Sequence, residues 1–264
     1  MKVIGVPKLN FEKKYTEITG FIEKTVRDAG ASGVVIGLGG VDSSLVTTLC
    51  ARALENSRVL GILLPTDFTP KQGVADAKAL AKWLKIRTEL INIQSIYDTF
   101  SKILGFGSEK KSKISAANVI ARIRMAILYY YANVHHLLVA GTGDRSEDLI
   151  GYFTKYGDGG VDFLPICHLY KTQVREFARY LGIPENMVYK PSSPQLYPGH
   201  KATDEIPLDY EELDPILVGL FDLKLSPEEV SSATGKSTTI IMDVRRRFME
   251  SNHKRAYPPM LREW

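Results

Sequence analysis

Short apolar runs alternate with amphipathic segments along the first half of the chain. The runs that have the length of a buried strand are 33–38, 59–64, 88–93 and 137–140. The segments whose apolar residues recur at helical spacing are 11–28, 45–55, 70–84 and 116–132. This alternation predicts an α/β fold in which a parallel sheet is flanked by helices on both faces.

The rest of the pattern concerns loops and the end of the chain. Residues 209–250 read as helices, which predicts a helical C-terminal part, and no repeat or linker composition divides residues 1–264. One domain is therefore expected. Residues 106–113 are small and charged, and residues 190–202 are rich in Pro, Ser and Gly. Both segments are predicted to be surface loops, and loops of this length are candidates for lids over a ligand.

Composition narrows the class of protein without choosing a function. Hydrophobic residues at 44% and charged residues at 24% are typical of a folded globular protein, and the net charge of +4 only weakly favours anionic ligands. No apolar run reaches the roughly 18 residues of a membrane span, and residues 1–12 lack a signal-peptide core. We therefore expect a cytoplasmic protein with no membrane partner. Cys50 and Cys167 make neither a disulfide framework nor a zinc site, and reduced, buried thiols are expected.

A glycine-rich turn follows the first predicted strand. Residues 37–44 read Gly-Leu-Gly-Gly-Val-Asp-Ser-Ser and lead into the next predicted helix. Backbone N–H groups and the helix dipole favour an anion at such a place, and phosphate is the natural guest. The lysine-containing phosphate loop and the Gly-x-Gly-x-x-Gly dinucleotide pattern both fail here. On this segment alone, an ordinary strand-to-helix turn remains an alternative.

The turn resembles the pyrophosphate loop of the ATP pyrophosphatases, whose usual form is Ser-Gly-Gly-x-Asp-Ser. The resemblance implies that the loop holds the departing pyrophosphate and that Asp42 helps to bind magnesium. Leu38 stands where the family has serine, and the stretch reads as if one residue were missing between Leu38 and Gly39. This departure removes one hydroxyl donor, so it bears on catalytic competence more than on the fold.

A second polar block lies after the predicted strand at 137–140. Residues 141–147 read Gly-Thr-Gly-Asp-Arg-Ser-Glu and continue into the glycine-rich stretch 151–162. Polar side chains are thereby placed at the carboxyl edge of a sheet, where ligands bind. This long string is similar to the NAD synthetase family. Further matching segments, in the same order, are 118–125, 164–166, 169–175, 190–192, 204–205, 252–255 and 258–259.

The family resemblance implies a role for each matching residue. The catalytic set would be Lys171, Asp42 and Glu147, with Asp42 and Glu147 holding Mg²⁺ and Lys171 placing positive charge at the α-phosphoryl group. The residues implied to bind ATP are Gly37, Leu38, Gly39, Gly40, Val41, Asp42, Ser43, Ser44, Thr142, Lys171 and Ser192. The residues implied to bind deamido-NAD are Arg122, Lys155, Asp162, His253 and Lys254. Taken singly, the basic residues could equally be solvated surface charges.

The resemblance also implies a reaction and an assembly. In an adenine nucleotide alpha hydrolase-like fold, the nicotinate carboxylate of deamido-NAD would attack ATP and release pyrophosphate, and ammonia would then displace AMP. No general base is assigned. The chain has no room for a glutaminase domain, so free ammonia is the expected nitrogen donor. The resemblance implies a homodimer, although the apolar stripe at Ile120, Ile123, Ile127 and Tyr130 is more often core than interface.

Three other functions stay open at this stage. Another ATP pyrophosphatase, one that thiolates tRNA or amidates a purine, is disfavoured by residues 152–162 and 253–255. A nucleotide-binding homologue without catalysis is kept open by the irregular turn. A nucleic-acid-binding module is suggested by the helix-turn-helix pattern at 226–249. Its basic cluster at 245–247 is also explained as a solvated face, so no nucleic-acid partner is expected.

Overall fold

The computed structural model describes residues 4–106 and 110–261. Within these residues, four parallel strands form one sheet in the order β3-β2-β1-β4. The strands are β1 (Gly33–Gly37), β2 (Val59–Leu63), β3 (Arg87–Leu90) and β4 (Leu137–Val139). The predicted parallel sheet is confirmed, and each strand lies within two residues of its predicted start.

Helices connect and follow these strands. Their bounds are α1 (Phe11–Asp28), α2 (Val41–Leu54), α3 (Lys71–Leu84), α4 (Gln94–Leu104), α5 (Lys110–His135), α6 (Arg145–Ile150), α7 (Lys171–Tyr180), α8 (Glu185–Val188), α9 (Tyr210–Leu217), α10 (Pro227–Thr234), α11 (Thr238–Glu250) and α12 (Asn252–Arg255). The predicted helical C-terminal part is confirmed by α9 to α12. Among the described residues, no helix combines the length and the apolar character needed to cross a bilayer.

The central strand β1 is buried on both faces. Val34 and Ile36 belong to a core that also contains side chains of α1, α2 and α7, whereas Val35 belongs to a second core built with α5. Because successive side chains of a strand point to opposite faces, this division places helices on both sides of the sheet. The predicted layer arrangement is therefore confirmed.

A third core lies among the later helices. Its fully buried members include Leu213 of α9, Val230 of α10 and Ile241 of α11. Residue Gly151, which ends α6 with φ of +67°, packs so closely on Ser251 that a β-carbon there would lie 2.2 Å from the Ser251 β-carbon. The segment before α12 is thus packed against the helix that carries Glu147.

The two predicted loops have different outcomes. In the segment 106–113, residues 107–109 lie outside the described residues, and residues 110–113 are helical because α5 begins at Lys110. The loop prediction is wrong for 110–113. These four residues are Lys-Lys-Ser-Lys, so the sequence offers no apolar periodicity there to reveal a helix. The segment 190–201 has no helix or strand, as predicted. Arg124 holds this loop by donating to the carbonyl oxygens of Pro194 at 3.2 Å and Gln195 at 3.3 Å.

Candidate active site

A cavity of about 640 Å³ opens at the carboxyl ends of β1, β2 and β4. Its walls are formed by the turn 37–43, part of α5, the stretch 151–161 and the loop 190–202. Ligands of parallel α/β sheets bind at this edge, because the turns that follow the strands present backbone N–H groups and polar side chains there. The second predicted loop is thus part of the cavity wall.

The glycine turn begins one residue later than the resemblance implied. The N–H of Leu38 donates to the carbonyl of Ile62 at 2.9 Å, which continues the pairing of β1 with β2. The Leu38 side chain packs over Gly61, where an added β-carbon would lie 2.6 Å from Leu38 Cδ1. Leu38 therefore fills a packing position of the sheet. Position 38 therefore offers the turn no hydroxyl group in place of the family's serine.

The hydroxyl of Ser43 closes this turn. Its oxygen accepts from the N–H of Gly39 at 2.9 Å and donates to the carbonyl of Gly40 at 2.9 Å. Ser44 also donates to the Gly40 carbonyl, at 2.9 Å, and lies outside the cavity wall. In this arrangement the Gly39 N–H is bonded within the turn, so a phosphate would have to compete with Ser43 for that donor.

Lys171 joins two predicted carboxylates that are far apart in the chain. Its Nζ donates to Oδ1 of Asp42 at 2.8 Å and to Oε1 of Glu147 at 2.8 Å, and its side chain is fully buried. The two acidic oxygens therefore lie no farther apart than the sum of these distances, and both residues line the same cavity. The predicted convergence of Asp42, Glu147 and Lys171 at one place is what the coordinates show.

A third carboxylate, Asp144, was not predicted. Its Oδ2 lies 2.9 Å from Lys171 Nζ, as an ion pair without hydrogen-bond geometry, and the side chain is fully buried. Its Oδ1 accepts from the N–H of Glu147 at 2.8 Å and caps α6. An acidic residue three positions before a glutamate is a recognised helix-start signal. That signal locates the cap, but only the fold shows that the other oxygen reaches Lys171.

Burial sets the protonation of this cluster. It raises the pKa of Asp144 to about 6 and the pKa of Glu147 well above its ordinary value. Burial alone would lower the pKa of Lys171, but the three carboxylates raise that pKa well above its usual range. Lys171 is therefore a cation, whereas burial favours the protonated forms of Asp144 and Glu147. A metal cation bound at the cavity would favour their ionised forms instead.

The donor set fits magnesium shared with a nucleotide. Among the residues that the structure describes, no group of three or more His, Cys, Asp and Glu side chains is arranged to hold a metal ion. Mg²⁺ in nucleotide enzymes commonly takes one or two carboxylates and completes its shell with phosphate oxygens and water. Asp42 and Glu147, each with two carboxylate oxygens at one cavity, meet that requirement.

Comparison with known proteins decides the family. The sequence profile of the family described as NAD synthase matches residues 14–258. The chain belongs to this family. A relative from Hyperthermus butylicus, named NH(3)-dependent NAD(+) synthetase, is 50% identical over 253 residues, covering 95% of this chain and 91% of that protein.

Solved structures agree with this membership of the NAD synthase family. The NH3-dependent NAD synthetase of Campylobacter jejuni, in complex with the nitrate ion, has a TM-score of 0.80 at 33% identity, covering 97% of this chain and 100% of that chain. The NMN synthetase of Francisella tularensis has a TM-score of 0.83 at 28% identity, covering 96% and 99%. The fold is therefore that of the NAD synthase family.

Most residues implied to bind ATP by the NAD synthase resemblance line the cavity. These residues are 37–43, Thr142, Lys171 and Ser192. Ser192 also accepts a hydrogen bond from Arg175 at 3.3 Å. Sequence reasoning missed Ser193 and Arg124, which line the same cavity. Arg124 is two positions after the predicted Arg122, which turns it about 200° around the helix axis and toward the other side of α5.

The residues implied to bind deamido-NAD are divided between the cavity and its outside. Lys254 lines the cavity, whereas Arg122, Lys155 and His253 do not. Arg122 donates to the carbonyl of Lys155 at 3.3 Å, and Lys155 Nζ donates to the carbonyl of His253 at 2.7 Å. Because His253 precedes Lys254 in the chain, these four residues form one continuous basic patch that begins at the cavity and extends over the surface.

Asp162 lies apart from that patch. It is exposed, its Oδ2 accepts from the N–H of Val139 at 2.7 Å, and its Oδ1 accepts from the Tyr129 hydroxyl at 3.1 Å. It is absent from the cavity wall. Asp162 thus accepts the hydrogen bond of the last N–H group of β4. The structure does not place it beside the other four residues predicted to bind deamido-NAD.

Proposed function

We propose that the chain is an ammonia-dependent NAD synthetase, a ligase that forms a C–N bond and releases AMP. The observation that carries this proposal is the meeting of Lys171 with Asp42 and Glu147 at a cavity that the glycine turn also lines. A buried cation beside carboxylates and backbone donors suits ATP cleavage, because phosphoryl transfer needs positioning and charge stabilisation more than a nucleophile from the protein. Family membership and the name of the Hyperthermus butylicus relative support the same activity.

In the first step, the nicotinate carboxylate of deamido-NAD attacks the α-phosphorus of ATP. The N-terminus of α2 and the N–H groups of the turn 37–43 receive the departing pyrophosphate. Lys171 stabilises the negative charge that builds on the α-phosphoryl oxygens. Asp42 and Glu147 would hold Mg²⁺ together with ATP, and the metal would supply positive charge to the phosphate oxygens.

In the second step, ammonia attacks the acyl carbon of the adenylate and AMP leaves. The adenylate is a reactive anhydride, so water must be kept away from it. The loop 190–202 forms one wall of the cavity, and we propose that it closes over the bound substrates. The other predicted lid, 106–113, keeps only residue 106 as a described loop position.

The deciding experiment measures AMP release from ATP by the purified chain. The proposal requires that release depend on both deamido-NAD and ammonium. Glutamine in place of ammonium should give little AMP. Nicotinate mononucleotide is the matched alternative acceptor, because the Francisella tularensis neighbour is an NMN synthetase. Faster turnover with nicotinate mononucleotide than with deamido-NAD would show that the mononucleotide is the acceptor. AMP release without any acceptor or ammonium would refute the ligase proposal.

We also propose a homodimer. No residue of α4 is buried, and its exposed residues include four large apolar side chains, Ile96, Phe100, Ile103 and Leu104. On the neighbouring α5, Ile120 and Ile123 are core residues as expected, but Tyr130 is 64% exposed. An apolar helix face of this kind is typical of a surface that a second protein covers.

The proposal also covers the domain organisation of the chain and its location in the cell. We propose that residues 1–264 act as one synthetase domain, supported by the family match over 14–258 and by the contacts of α9 with the site. We propose a cytoplasmic location, where ATP is available. Limited proteolysis tests the first proposal: one domain resists cleavage as a unit, whereas early stable fragments would divide it.

A further inference from the structure

The beginning of α7 is fixed by an aspartate of α9. Oδ2 of Asp214 accepts from the N–H of Thr172 at 2.9 Å and from the Thr172 hydroxyl at 2.8 Å. Oδ1 of Asp214 accepts from the hydroxyl of Ser146 at 2.6 Å, and that hydroxyl accepts from the N–H of Lys171 at 2.9 Å. The first N–H groups of a helix have no partner within the helix, so Asp214 and Ser146 supply what the start of α7 lacks. The backbone of Lys171 is thereby held in place.

The same helix also supports the Lys171 side chain. Tyr210 lies one helical turn before Asp214, on the same side of α9. Its ring centroid is 5.1 Å from Lys171 Nζ, and the residue is fully buried. A cation over an aromatic face is attracted by the ring, most strongly where water is excluded. The Tyr210 hydroxyl has no hydrogen-bond partner within the described residues, so the contact with Lys171 is made by the ring and not by the hydroxyl.

The Lys171 ammonium therefore has carboxylates and an aromatic face as neighbours. A lysine side chain has four rotatable carbon–carbon bonds and loses much rotamer freedom when it is held in one position. The carboxylates alone would draw the ammonium toward themselves, and binding of Mg²⁺ by Asp42 and Glu147 would weaken that attraction. A neutral ring keeps its attraction whether or not a metal is present.

We infer that Tyr210 and Asp214 are positioning residues, which hold the Lys171 ammonium where the α-phosphoryl group of ATP reacts. The inference rests on the proposed ligase function and adds two residues that the family resemblance did not supply. Both residues act through Lys171, with Asp214 at its backbone and Tyr210 at its side chain. The consequence is a loss in turnover without a matching loss in ATP affinity when either is replaced, because ground-state binding of ATP also uses the turn 37–43.

The test compares Tyr210→Leu with Tyr210→Phe by AMP release at saturating substrates. The Leu variant should lower kcat about tenfold or more, with KM for ATP nearly unchanged. The Phe variant keeps the ring and should restore kcat to near the value of the unmodified chain. Glu212→Ala is the matched control on the same helix, because it removes an exposed ion pair with Lys236 and leaves the Lys171 contacts alone.

Asp214→Asn supplies an independent arm if the Leu variant folds poorly. The amide group has one acceptor oxygen instead of two, so either Ser146 or Thr172 loses its acceptor, and kcat should fall severalfold at constant KM. A Phe variant as slow as the Leu variant would overturn the role of the ring, and an Asn variant with unchanged kcat would overturn the role of Asp214. Absence of AMP release from the unmodified chain would instead refute the proposed function.

Discussion

Nζ of Lys171 lies 2.8 Å from Oδ1 of Asp42, although 129 positions separate the two residues in the chain. The contact belongs to a buried cluster in which the Lys171 ammonium faces three carboxylates, and removing the ammonium leaves those carboxylates uncompensated. Replacement of Lys171 by Ala should therefore abolish most turnover and also lower the free energy of unfolding, by about 3–5 kcal/mol in the absence of metal. Turnover and urea unfolding measure the two effects.

Magnesium separates this explanation from a simple packing defect. A cation bound by Asp42 and Glu147 would replace part of the missing charge, so Mg²⁺ should return some stability to the Lys171→Ala variant. Lys24→Ala is the control, because Lys24 forms an exposed ion pair with Asp28 and its loss should change neither quantity appreciably. Equal turnover before and after the Lys171 replacement would remove that residue from the mechanism.

We predict a gain in activity when a serine is inserted into the glycine turn. A serine inserted between Leu38 and Gly39 adds a hydroxyl and one backbone N–H near the phosphates. Since a hydrogen bond to a charged group contributes about 1.5–3 kcal/mol, kcat/KM for ATP should rise roughly tenfold or more. An alanine inserted at the same place separates the effect of turn length from the effect of the serine hydroxyl. A fall in kcat/KM with unchanged thermal stability would show that the present turn has its own productive geometry.

Asp162 and Arg122 should respond differently to replacement. Asp162→Ala leaves the buried N–H of Val139 without its 2.7 Å acceptor, which should lower the free energy of unfolding by about 1–3 kcal/mol. Asp162→Asn retains an acceptor and should lose less. Arg122→Ala removes an exposed side chain, so it should leave stability alone and raise KM for deamido-NAD. Unfolding curves and deamido-NAD titrations of the three variants check both predictions. A loss of stability in Arg122→Ala, with unchanged stability in Asp162→Ala, would contradict them.

The pH dependence of thiol labelling follows from burial. Burial raises the pKa of Cys167 to about 12, and burial also raises the pKa of Cys50, which is fully buried. Only the thiolate reacts with iodoacetamide, so native Cys167 should react slowly at neutral pH and about tenfold faster with each pH unit, up to its pKa. Intact mass in native buffer and in urea gives the count of labelled thiols. Rapid single labelling at pH 7 would contradict the burial argument.

The exposed face of α4 predicts the effect of a charge on assembly. Ile103 is 75% exposed in the isolated chain. Ile103→Asp would place a carboxylate in the proposed dimer interface, so the variant should sediment as a monomer at concentrations where the unmodified chain sediments as a dimer. Lys102→Asp, also on α4, controls for charge alone. A monomeric unmodified chain, or an Ile103→Asp variant that remains a dimer, would place the interface elsewhere.

The fold was predictable wherever apolar periodicity coincided with burial. Helix α1 has the predicted bounds because Ile18, Ile22 and Val26 form its buried stripe. Helix α4 was missed although Ile96, Phe100, Ile103 and Leu104 recur at helical spacing. The helix has no buried residue, and Ile93 at its N-cap offers no side-chain hydrogen bond, so the sequence contains no start signal for it. Local patterns thus indicated elements that face the core and missed one that does not.

The site was predictable from family motifs, but its assembly was not. Asp42, Glu147 and Lys171 were identified by their motifs, and the structure brings them together. Asp144 was passed over because a capping aspartate looks the same whether or not its second oxygen faces a distant lysine. Asp162 was grouped with the substrate-binding residues, and the structure places it outside the cavity wall. Neither distinction can be read from sequence spacing, because both depend on tertiary contacts.

The packing of Ser251 on Gly151 has a consequence for how the protein is made. Lys254 follows every other residue of the cavity wall in the chain, and its ammonium donates to the carbonyl oxygens of Gly151 at 2.7 Å and Phe153 at 2.8 Å. During translation, the earlier segments emerge and begin to fold first. A ribosome-bound chain can thus shape most of the cavity early. The wall that Lys254 secures forms only after residue 254 has emerged, so a product that ends before Lys254 would lack it.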